Sequence, residues 1–313
     1  MSLDRALELA DAAAGVAYPN PTVGAVLSAG GANVGEGVTE AYGGRHGEIV
    51  ALDAAGERAQ GATLYVTMEP CVHHGLTPPC VDAIVAAGVT RVVAACRDPN
   101  PEAAGGLEAL RAAGVEADVD DRIEARRQNE AWRTWKALAR PFVTYKVATT
   151  LDGRVTVPGS RWVTGEQSRR LVHELRAESD AVAVGTGTVA ADSPKLDARE
   201  VPILRQPRRL AFGRGPLPVG SDLELRPGPL AGELAALARE GVQSLLLEGG
   251  PTLATAFLEA DLVDRLLVFV APALSGDGPR FLGDLSLPRL LLHVSTRPIG
   301  ADLLVEAYLH EPR

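Results

Sequence analysis

Apolar and polar residues alternate along the chain with two different periods, which predicts strands and helices that follow one another. In the first half, the pattern predicts helices over 3–13 and 46–57, beginning near Cys80, and over 120–139, with strands over 22–28, 62–68 and 91–95. Arg140-Pro141 ends the last of these helices, because a residue before proline avoids helical backbone angles. We therefore expect residues 1–140 to form one α/β domain.

The same alternation begins again after Pro141. It predicts strands over 142–148, 180–185, 209–212, 243–247, 266–270 and 303–309, and helices over 165–177, 231–239 and 252–259. Residues 201–229 are rich in Pro, Gly and Arg and are predicted to be mostly loop. Residues 141–313 are thus expected to form a second α/β domain, with parallel βα units in both halves.

Composition narrows the possible functions. The 313 residues favour two domains, and the formal net charge of -9 argues against a nucleic-acid partner. The longest apolar runs, such as 266–271, are too short to span a bilayer, and the N-terminus lacks a signal-peptide pattern, so no membrane partner is expected. Three cysteines cannot form a disulfide framework and suit a reducing compartment. We expect a cytoplasmic protein.

The strongest chemical signal comes from four residues. His46 and Glu48 begin a predicted helix, while Cys71 and Cys80 bracket the loop before the next one. All three candidate ligands are expected at helix starts, where partial positive charge favours the thiolate that zinc binds. One imidazole and two thiolates leave a fourth zinc position for water, as in catalytic sites. Glu48 is then the expected proton shuttle, and the order of residues is typical of zinc deaminases, although eight residues separate the cysteines.

Two other interpretations of these residues stay open. Each residue alone could be structural, with Cys71 and Cys80 as small buried apolar groups. Alternatively, His73 or His74 could complete a purely structural zinc site, but Glu48 would then have no role.

Two glycine-containing turns in the second half could bind a nucleotide. The predicted strand 180–185 leads into Gly185 to Ala190, which fits a dinucleotide fingerprint, but no long helix and acidic strand end follow, so a Rossmann fold is rejected. Glycines still let backbone amides approach phosphate, and Arg205, Arg208 or Arg209 could favour NADPH over NADH. The second turn, 248–252, is either an anion site or an ordinary strand-to-helix turn with proline at the first helical position.

A longer series of motifs carries a resemblance to a known family. PNPTVGAV at 19–26, HGE, TMEPCVHHGLTPPC, DPNP, VTYKVATTLDGR, SRWVTG, HELRAESDA, ADSPKLDAR and EGG occur in this order. The chain resembles the bifunctional riboflavin-biosynthesis deaminase/reductase family over nearly its whole length. The resemblance implies an α/β architecture, with a cytidine-deaminase-like three-layer domain over 1–140 and a dihydrofolate-reductase-like domain over 141–313.

The resemblance also implies a role for particular residues. In the deaminase half, it implies that His46, Cys71 and Cys80 bind zinc, Glu48 shuttles protons, and Asn20, His73 and Asn100 contact the substrate. In the reductase half, the substrate contacts it implies are Lys146, Ser160, Arg176, Leu196, Arg199 and Glu248. The NADPH contacts it implies are Ala148, Trp162, Thr164, Thr188, Asp192, Gly250, Pro251, Thr252, Leu253, Ala254, Thr255 and Ala256.

The expected activity is zinc-dependent deamination of a small-molecule pyrimidine ribotide, followed by NADPH-dependent reduction of its ribose. The resemblance also suggests a homo-oligomer. A zinc deaminase of another base or nucleoside, or a non-enzymatic zinc-stapled module, remains as an alternative. The chain departs from the family at Gly47, usually Ala, at Leu76, usually Lys or Arg, and at Ser193 and Gly213, often Asp. Arg45 or His74 could replace the missing cation at Leu76.

Overall fold

The computed structural model describes residues 2–313 and divides them into two compact units. The described residues up to Ala137, together with Pro312–Arg313, form the first, and Leu138–Glu311 form the second. Each unit consists of one β-sheet with helices around it, so the α/β fold class is confirmed. No helix among the described residues is long and apolar enough to span a membrane.

The first unit contains six α-helices and a five-stranded sheet. The elements are α1 (Ser2–Ala12), β1 (Gly24–Ala29), β2 (Ala32–Val38), α2 (Gly47–Ala55), a 3₁₀ turn (Gly56–Ala59), β3 (Thr63–Val66), α3 (Cys80–Ala86), β4 (Arg91–Ala94), α4 (Gly106–Ala112), β5 (Glu116–Val119), α5 (Ile123–Gln128) and α6 (Glu130–Leu138). The strand order is β2-β1-β3-β4-β5. Leu27, Leu64, Ile84 and Leu107 lie in its buried core.

The expectation of a purely parallel sheet is wrong for this unit. Strands β3, β4 and β5 are parallel, but β1 pairs antiparallel with both β2 and β3. The reason is a β1–β2 hairpin, which sequence analysis missed. Its two-residue turn, Gly30-Gly31, has positive φ at both positions, the geometry that a tight hairpin requires.

The second unit has an eight-stranded sheet. Its elements are β6 (Phe142–Thr150), α7 (Glu166–Glu178), β7 (Ala181–Gly185), α8 (Thr186–Asp192), β8 (Arg208–Phe212), β9 (Glu224–Arg226), α9 (Leu230–Arg239), β10 (Ser244–Leu247), α10 (Pro251–Glu259), β11 (Arg265–Ala271), β12 (Leu292–Ile299) and β13 (Asp302–Tyr308). The strand order is β12-β13-β11-β6-β10-β7-β8-β9. In this order, the six strands from β11 to β9 are parallel to one another. Strand β13 pairs antiparallel with both β11 and β12, so the expectation of parallel strands is wrong at this edge of the sheet.

The predicted helix over 120–139 is interrupted at Asn129, which leaves α5 and α6 as separate helices. The side-chain amide of Asn129 accepts a hydrogen bond from the backbone N–H of Thr22 and donates one to its carbonyl, both at 2.9 Å. This buried pairing joins the break between the helices to the loop that precedes β1. The sequence pattern could not show it, because the partner lies 107 positions away.

Candidate functional site

His46 lies at the N-cap of α2, and its ring faces two sulfur atoms. The Nδ1 atom is 3.2 Å from Cys80 Sγ and 3.7 Å from Cys71 Sγ, while Nε2 lies 3.4 Å from Thr77 Oγ1. Cys80 is the first residue of α3. Cys71, in contrast, lies in the loop after β3, so the expectation that all three ligands sit at helix starts is wrong for this residue.

Cys71 nevertheless interacts with a helix start. Its sulfur accepts a hydrogen bond from the backbone N–H of Cys80, at 3.5 Å. Hydrogen bonds from the Cys80 thiol and then from His46 lower the pKa of the Cys71 thiol to about 4. The pKa of Cys80 is raised, because its proton is held in the hydrogen bond to Cys71 and because it is buried. These hydrogen bonds therefore favour the thiolate form at Cys71 rather than at Cys80.

The three donor atoms fit a zinc ion. They lie within 4.8 Å of one another, and within residues 2–313 no other His, Cys, Asp or Glu joins this group. Tetrahedral zinc with ordinary bond lengths places neighbouring nitrogen and sulfur ligands roughly 3.5 Å apart, which matches the His46–cysteine distances. A closed structural site completed by His73 or His74 is thus not supported, and three protein ligands leave one position open.

Glu48 follows His46 by two residues and is 3% exposed. Burial is the main reason that the pKa of its carboxyl rises to about 6; the charge of His46 opposes the rise and that of Cys71 adds to it. The carboxyl group also interacts with the Cys80 thiol. A buried carboxyl group with a raised pKa beside a metal site is suited to accepting and returning a proton.

The group opens into a cavity of about 260 Å³. Of the deaminase residues predicted from the sequence, all but Cys80 line it, namely Asn20, His46, Glu48, Cys71, His73 and Asn100. The Nδ1 atom of His73 is buried without a hydrogen-bond partner in the described residues. A polar ligand in the cavity could satisfy this atom.

The structure shows the surroundings of Gly47 and Leu76, two residues that depart from the family pattern. At Gly47, an added Cβ would lie 2.3 Å from the carbonyl oxygen of Val23, so the helix packs too closely here for alanine. Leu76 lines the cavity with a side chain that is 73% exposed. Arg45 does not replace the missing cation, because its guanidinium pairs with Glu40 and Asp53.

Sequence analysis missed Glu69, which organises the cavity wall. This buried carboxylate accepts hydrogen bonds from the backbone N–H groups of Asp98, Gly105 and Leu107 at 3.1–3.2 Å. It therefore fixes the loop that carries Asn100. Glu69 lies directly before Pro70-Cys71, so it belongs to the TMEPC motif that the sequence analysis had singled out. Its role could not be predicted, because its hydrogen-bond partners lie far away in the sequence.

In the second unit, three predicted substrate residues form a buried charge cluster. Arg176 donates to both carboxylate oxygens of Glu248, at 2.6 and 3.0 Å, and Lys146 Nζ lies 3.6 Å from the same carboxylate. Burial opposes ionisation of Glu248, but the charges of Lys146 and Arg176 outweigh it and lower the pKa of Glu248. Burial lowers the pKa of Lys146.

The two arginines predicted to contact the substrate are only partly available to it. Arg176 is held by Glu248 and donates to the carbonyl oxygen of Asp197 at 3.1 Å, and the more exposed Arg199 pairs with the Asp197 carboxylate at 2.8 Å. Leu196 has its side chain in the core and a left-handed backbone, so a substrate could reach it only through its main chain. Among the arginines expected to favour NADPH, Arg205, Arg208 and Arg209 all pair with carboxylates.

The two glycine turns lie side by side at the carboxyl ends of β7 and β10. The side chain of Leu253, in the first turn of α10, lies where a Cβ on Gly185 or Gly249 would meet it. A Cβ on Gly250 would lie 3.5 Å from Thr188 Oγ1. Gly250 caps α10, and Pro251 occupies its first position. The predicted cofactor residues Thr188 and 250–256 are therefore brought together. Small glycines at the carboxyl ends of parallel strands, next to free helix N–H groups, suit a nucleotide phosphate.

Gly213 shows why this chain has no Asp at the end of β8. Its φ of 136° favours glycine, and a Cβ there would lie 2.4 Å from Thr186 Oγ1. The Thr186 side chain thus occupies the space that a larger residue at 213 would need.

The remaining predicted cofactor and substrate residues lie on separate segments. Ala148 pairs with Phe269 on β11, Asp192 is the exposed last residue of α8, and Ser160 Oγ donates to the carbonyl oxygen of Trp162 at 2.7 Å. The indole of Trp162 is 49% exposed and lies under the guanidinium of Arg169, which also donates to the carbonyl of Thr164.

Comparison with known proteins assigns a family to each half. Residues 2–96 match the cytidine and deoxycytidylate deaminase zinc-binding region, and residues 141–216 and 229–305 match the RibD C-terminal domain. The riboflavin biosynthesis protein RibD of Aquifex aeolicus is 40% identical over 96% of this chain and 95% of its own length. RibD of Escherichia coli is 38% identical over 89% of both chains.

Solved structures agree over the whole length. Acinetobacter baumannii RibD, form 2, superposes with a TM-score of 0.84 at 33% identity, covering 98% of this chain and 97% of that chain. The diaminohydroxyphosphoribosylaminopyrimidine deaminase/5-amino-6-(5-phosphoribosylamino)uracil reductase of Thermotoga maritima gives a TM-score of 0.82 at 33% identity, covering 97% of both chains.

Fold, site and comparisons together define the class of protein, a zinc-binding deaminase domain joined to a reductase domain. The chain belongs to the RibD family, the bifunctional deaminase/reductase enzymes of riboflavin biosynthesis. The expected family, enzyme class and riboflavin-biosynthetic function are confirmed.

Proposed function

We propose that this enzyme deaminates 2,5-diamino-6-ribosylamino-4(3H)-pyrimidinone 5′-phosphate and then reduces the ribosyl group of the product to ribityl, with NADPH as reductant. The observation that carries the proposal is the three-ligand group of His46, Cys71 and Cys80 beside a buried Glu48 in a cavity. The proposed substrate is the pyrimidine ribotide for which the Thermotoga maritima enzyme is named.

In the deaminase half, which we assign to residues 1–140, His46, Cys71 and Cys80 hold zinc. Zinc in an open three-ligand site supplies Lewis-acid activation of water. Glu48 would accept a proton from the attacking water and return it to the departing amine, so that a C–N bond is replaced by a C–O bond and ammonia leaves. Asn20, His73 and Asn100 orient the pyrimidine, and the unsatisfied Nδ1 of His73 supports this role.

The reductase half, which we assign to residues 141–313, would hold NADPH, and the bound cofactor would supply the hydride that reduces C1 of the opened ribose. The turn Gly250 to Ala256, with Thr188 beside it, cradles the cofactor phosphates, and Ala148, Trp162, Thr164 and Asp192 complete the cofactor site. The substrate contacts are assigned to Lys146, Ser160, Arg176, Leu196, Arg199 and Glu248. Within this set, Glu248 holds Arg176 in place, and Arg199 is the cation most available to a phosphate.

We further infer that the protein is cytoplasmic and a homo-oligomer. Three free cysteines, two of them proposed zinc ligands, suit a reducing compartment. Strand β12 is an edge strand whose residues His293 to Pro298 are exposed on both faces, which supports pairing with a second copy. Light scattering after size exclusion measures this directly: a single-chain mass of 32.7 kDa would contradict it.

One assay tests the proposed function. Purified zinc-loaded protein is mixed with the diaminopyrimidine ribotide, and ammonia release and NADPH absorbance are followed with NADPH present or omitted. We expect ammonia in both cases, and NADPH oxidation only when the ribotide is present. Ammonia from cytidine or deoxycytidylate but not from the ribotide would instead indicate a deaminase of another base.

A further inference from the structure

The deaminase cavity has an unbalanced charge. Four carboxyl groups line it, those of Glu48, Glu69, Asp98 and Glu102, and its one lysine or arginine is Lys136. The substrate proposed above carries a phosphate, which would be repelled by such a wall unless a cation faces it. Phosphates in proteins are bound mainly by Arg and Lys, through charge-assisted hydrogen bonds.

Lys136 lies on α6, on the same face as Trp132. The two residues are four positions apart, so their side chains are neighbours on the helix surface, and both line the cavity. The Lys136 side chain is half-buried, and its Nζ lies 4.5 Å from the centroid of the Trp135 ring. No carboxylate in residues 2–313 forms an ion pair with it. Arg45 and Arg97, by contrast, are already paired with carboxylates.

Helix α6 is firmly fixed to the cavity. The Asn129 amide holds the backbone of Thr22, next to the loop that carries Asn20. Arg133 donates a hydrogen bond of 2.7 Å to the carbonyl oxygen of Arg97, next to the loop that carries Asn100. The backbone of Lys136 is thus held relative to both loops, while its long side chain remains able to reach a ligand.

We propose that Lys136 binds the 5′-phosphate of the substrate in the deaminase cavity. This assignment rests on the proposed function, because it is the ribotide that brings a phosphate. Leu76 lines the same cavity with an uncharged, largely exposed side chain and offers no competing cation. Lys136 is therefore a binding residue that determines specificity for phosphorylated over unphosphorylated substrates.

The test measures ammonia release without NADPH, so that only the deaminase site is read. For Lys136→Gln, we expect the KM for the ribotide to rise about 10- to 100-fold, the effect of losing one charge-assisted hydrogen bond, while kcat changes little. The dephosphorylated riboside should give the same KM in both proteins. Lys136→Arg should keep most of the affinity, and Leu76→Lys added to Lys136→Gln should restore part of it.

Lys195→Gln, a lysine substitution in the second unit, is the matched control and should leave the deaminase KM unchanged. Equal losses with ribotide and riboside would overturn the assignment, because they would indicate a structural effect. An unchanged KM for the ribotide in Lys136→Gln would overturn it as well. Absence of ammonia with the wild-type protein would instead refute the proposed function, and this assignment with it.

Discussion

The deaminase centre and the reductase region reach their chemistry by different routes. In the first, backbone segments that pack closely place His46, Cys71 and Cys80 within 4.8 Å of one another, beside a cavity. In the second, Lys146 on β6, Arg176 on α7 and Glu248 just after β10 form a largely buried charge cluster, and the two glycine turns form a separate group. On the proposed function, the first centre needs only a metal ion to hold its ligands together, whereas the second has to be completed by two larger ligands.

The difference predicts that damage to one region should spare the other. The proposed zinc ligands and proton shuttle would act on one atom of the substrate, so their loss should remove a single activity. The charges of the Lys146–Arg176–Glu248 cluster pair with each other and are also the proposed substrate contacts, so their loss should reduce both stability and activity in the second unit.

The largest effect is expected for Glu48→Gln. General acid–base catalysis contributes about 10²–10⁴-fold to rates, so ammonia release should fall by at least about 10²-fold. NADPH oxidation with the deaminated intermediate should stay at the wild-type rate. Both rates are measured by steady-state kinetics on one preparation. Parallel loss of the two activities would break the proposed separation of the sites.

Glu248→Gln should act mainly on the second unit. It leaves Lys146 and Arg176 as buried charges without a counter-ion, which costs about 3–5 kcal/mol. Urea inactivation should therefore show the reductase midpoint moving to lower concentration, with the deaminase midpoint unchanged. Exposed Glu57→Gln is the matched control and should move neither. A variant as stable as wild type would mean that these charges are not coupled.

Gly47→Ala should destabilise the first unit by about 1–3 kcal/mol, because the new methyl group would overlap the carbonyl oxygen of Val23. Since Gly47 adjoins His46, zinc retention during dialysis should also weaken. Gly232→Ala in α9, where an added Cβ meets nothing within 4 Å, is the matched control. That control should stabilise slightly, because alanine favours helices more than glycine does. Equal stability of Gly47→Ala and wild type would contradict this expectation, because it would mean that helix α2 can shift away from Val23 at no cost.

The smallest effect is a pH dependence of the Glu248 contribution. Lys146 and Arg176 face this carboxyl, and they hold its pKa in the folded protein below the ordinary value of 4.5. The contribution of ionised Glu248 to the free energy of unfolding is therefore fully present above pH 4.5. It is lost as the pH falls through the lowered pKa that Glu248 has in the folded protein. The gap in unfolding free energy between wild type and Glu248→Gln should be constant from about pH 5.5 to 4.5 and narrow below. A gap that widens in acid would reverse the assigned sign.

Sequence reasoning succeeded where chemistry is concentrated in short motifs. His46, Glu48, Cys71 and Cys80 occur within two local segments, and their residue types are demanding enough to indicate zinc before any fold is known. It also identified most of the strongly apolar strands. The strands it missed, β2, β5, β9 and β12, are short, polar or glycine-rich and have many exposed residues, so they lack an apolar pattern.

Residues whose role depends on distant partners were not accessible in the same way. Glu69 stabilises a loop about 30 positions away, and Asn129 pairs with Thr22 across the unit. Lys136 gains significance only once the cavity shows that it faces four carboxyl groups. In the second unit, the resemblance indicated Arg176 as a substrate contact but could not show that its guanidinium is paired with Glu248. Such pairings are products of the tertiary structure.

The most direct test of the central claim is the metal content and activity of Cys71→Ser, measured together by plasma mass spectrometry and the two assays. The account predicts about one zinc per chain in the wild type, and in the variant a large loss of zinc and of ammonia release with full NADPH oxidation on the deaminated intermediate. Full zinc occupancy with normal ammonia release in Cys71→Ser would contradict it.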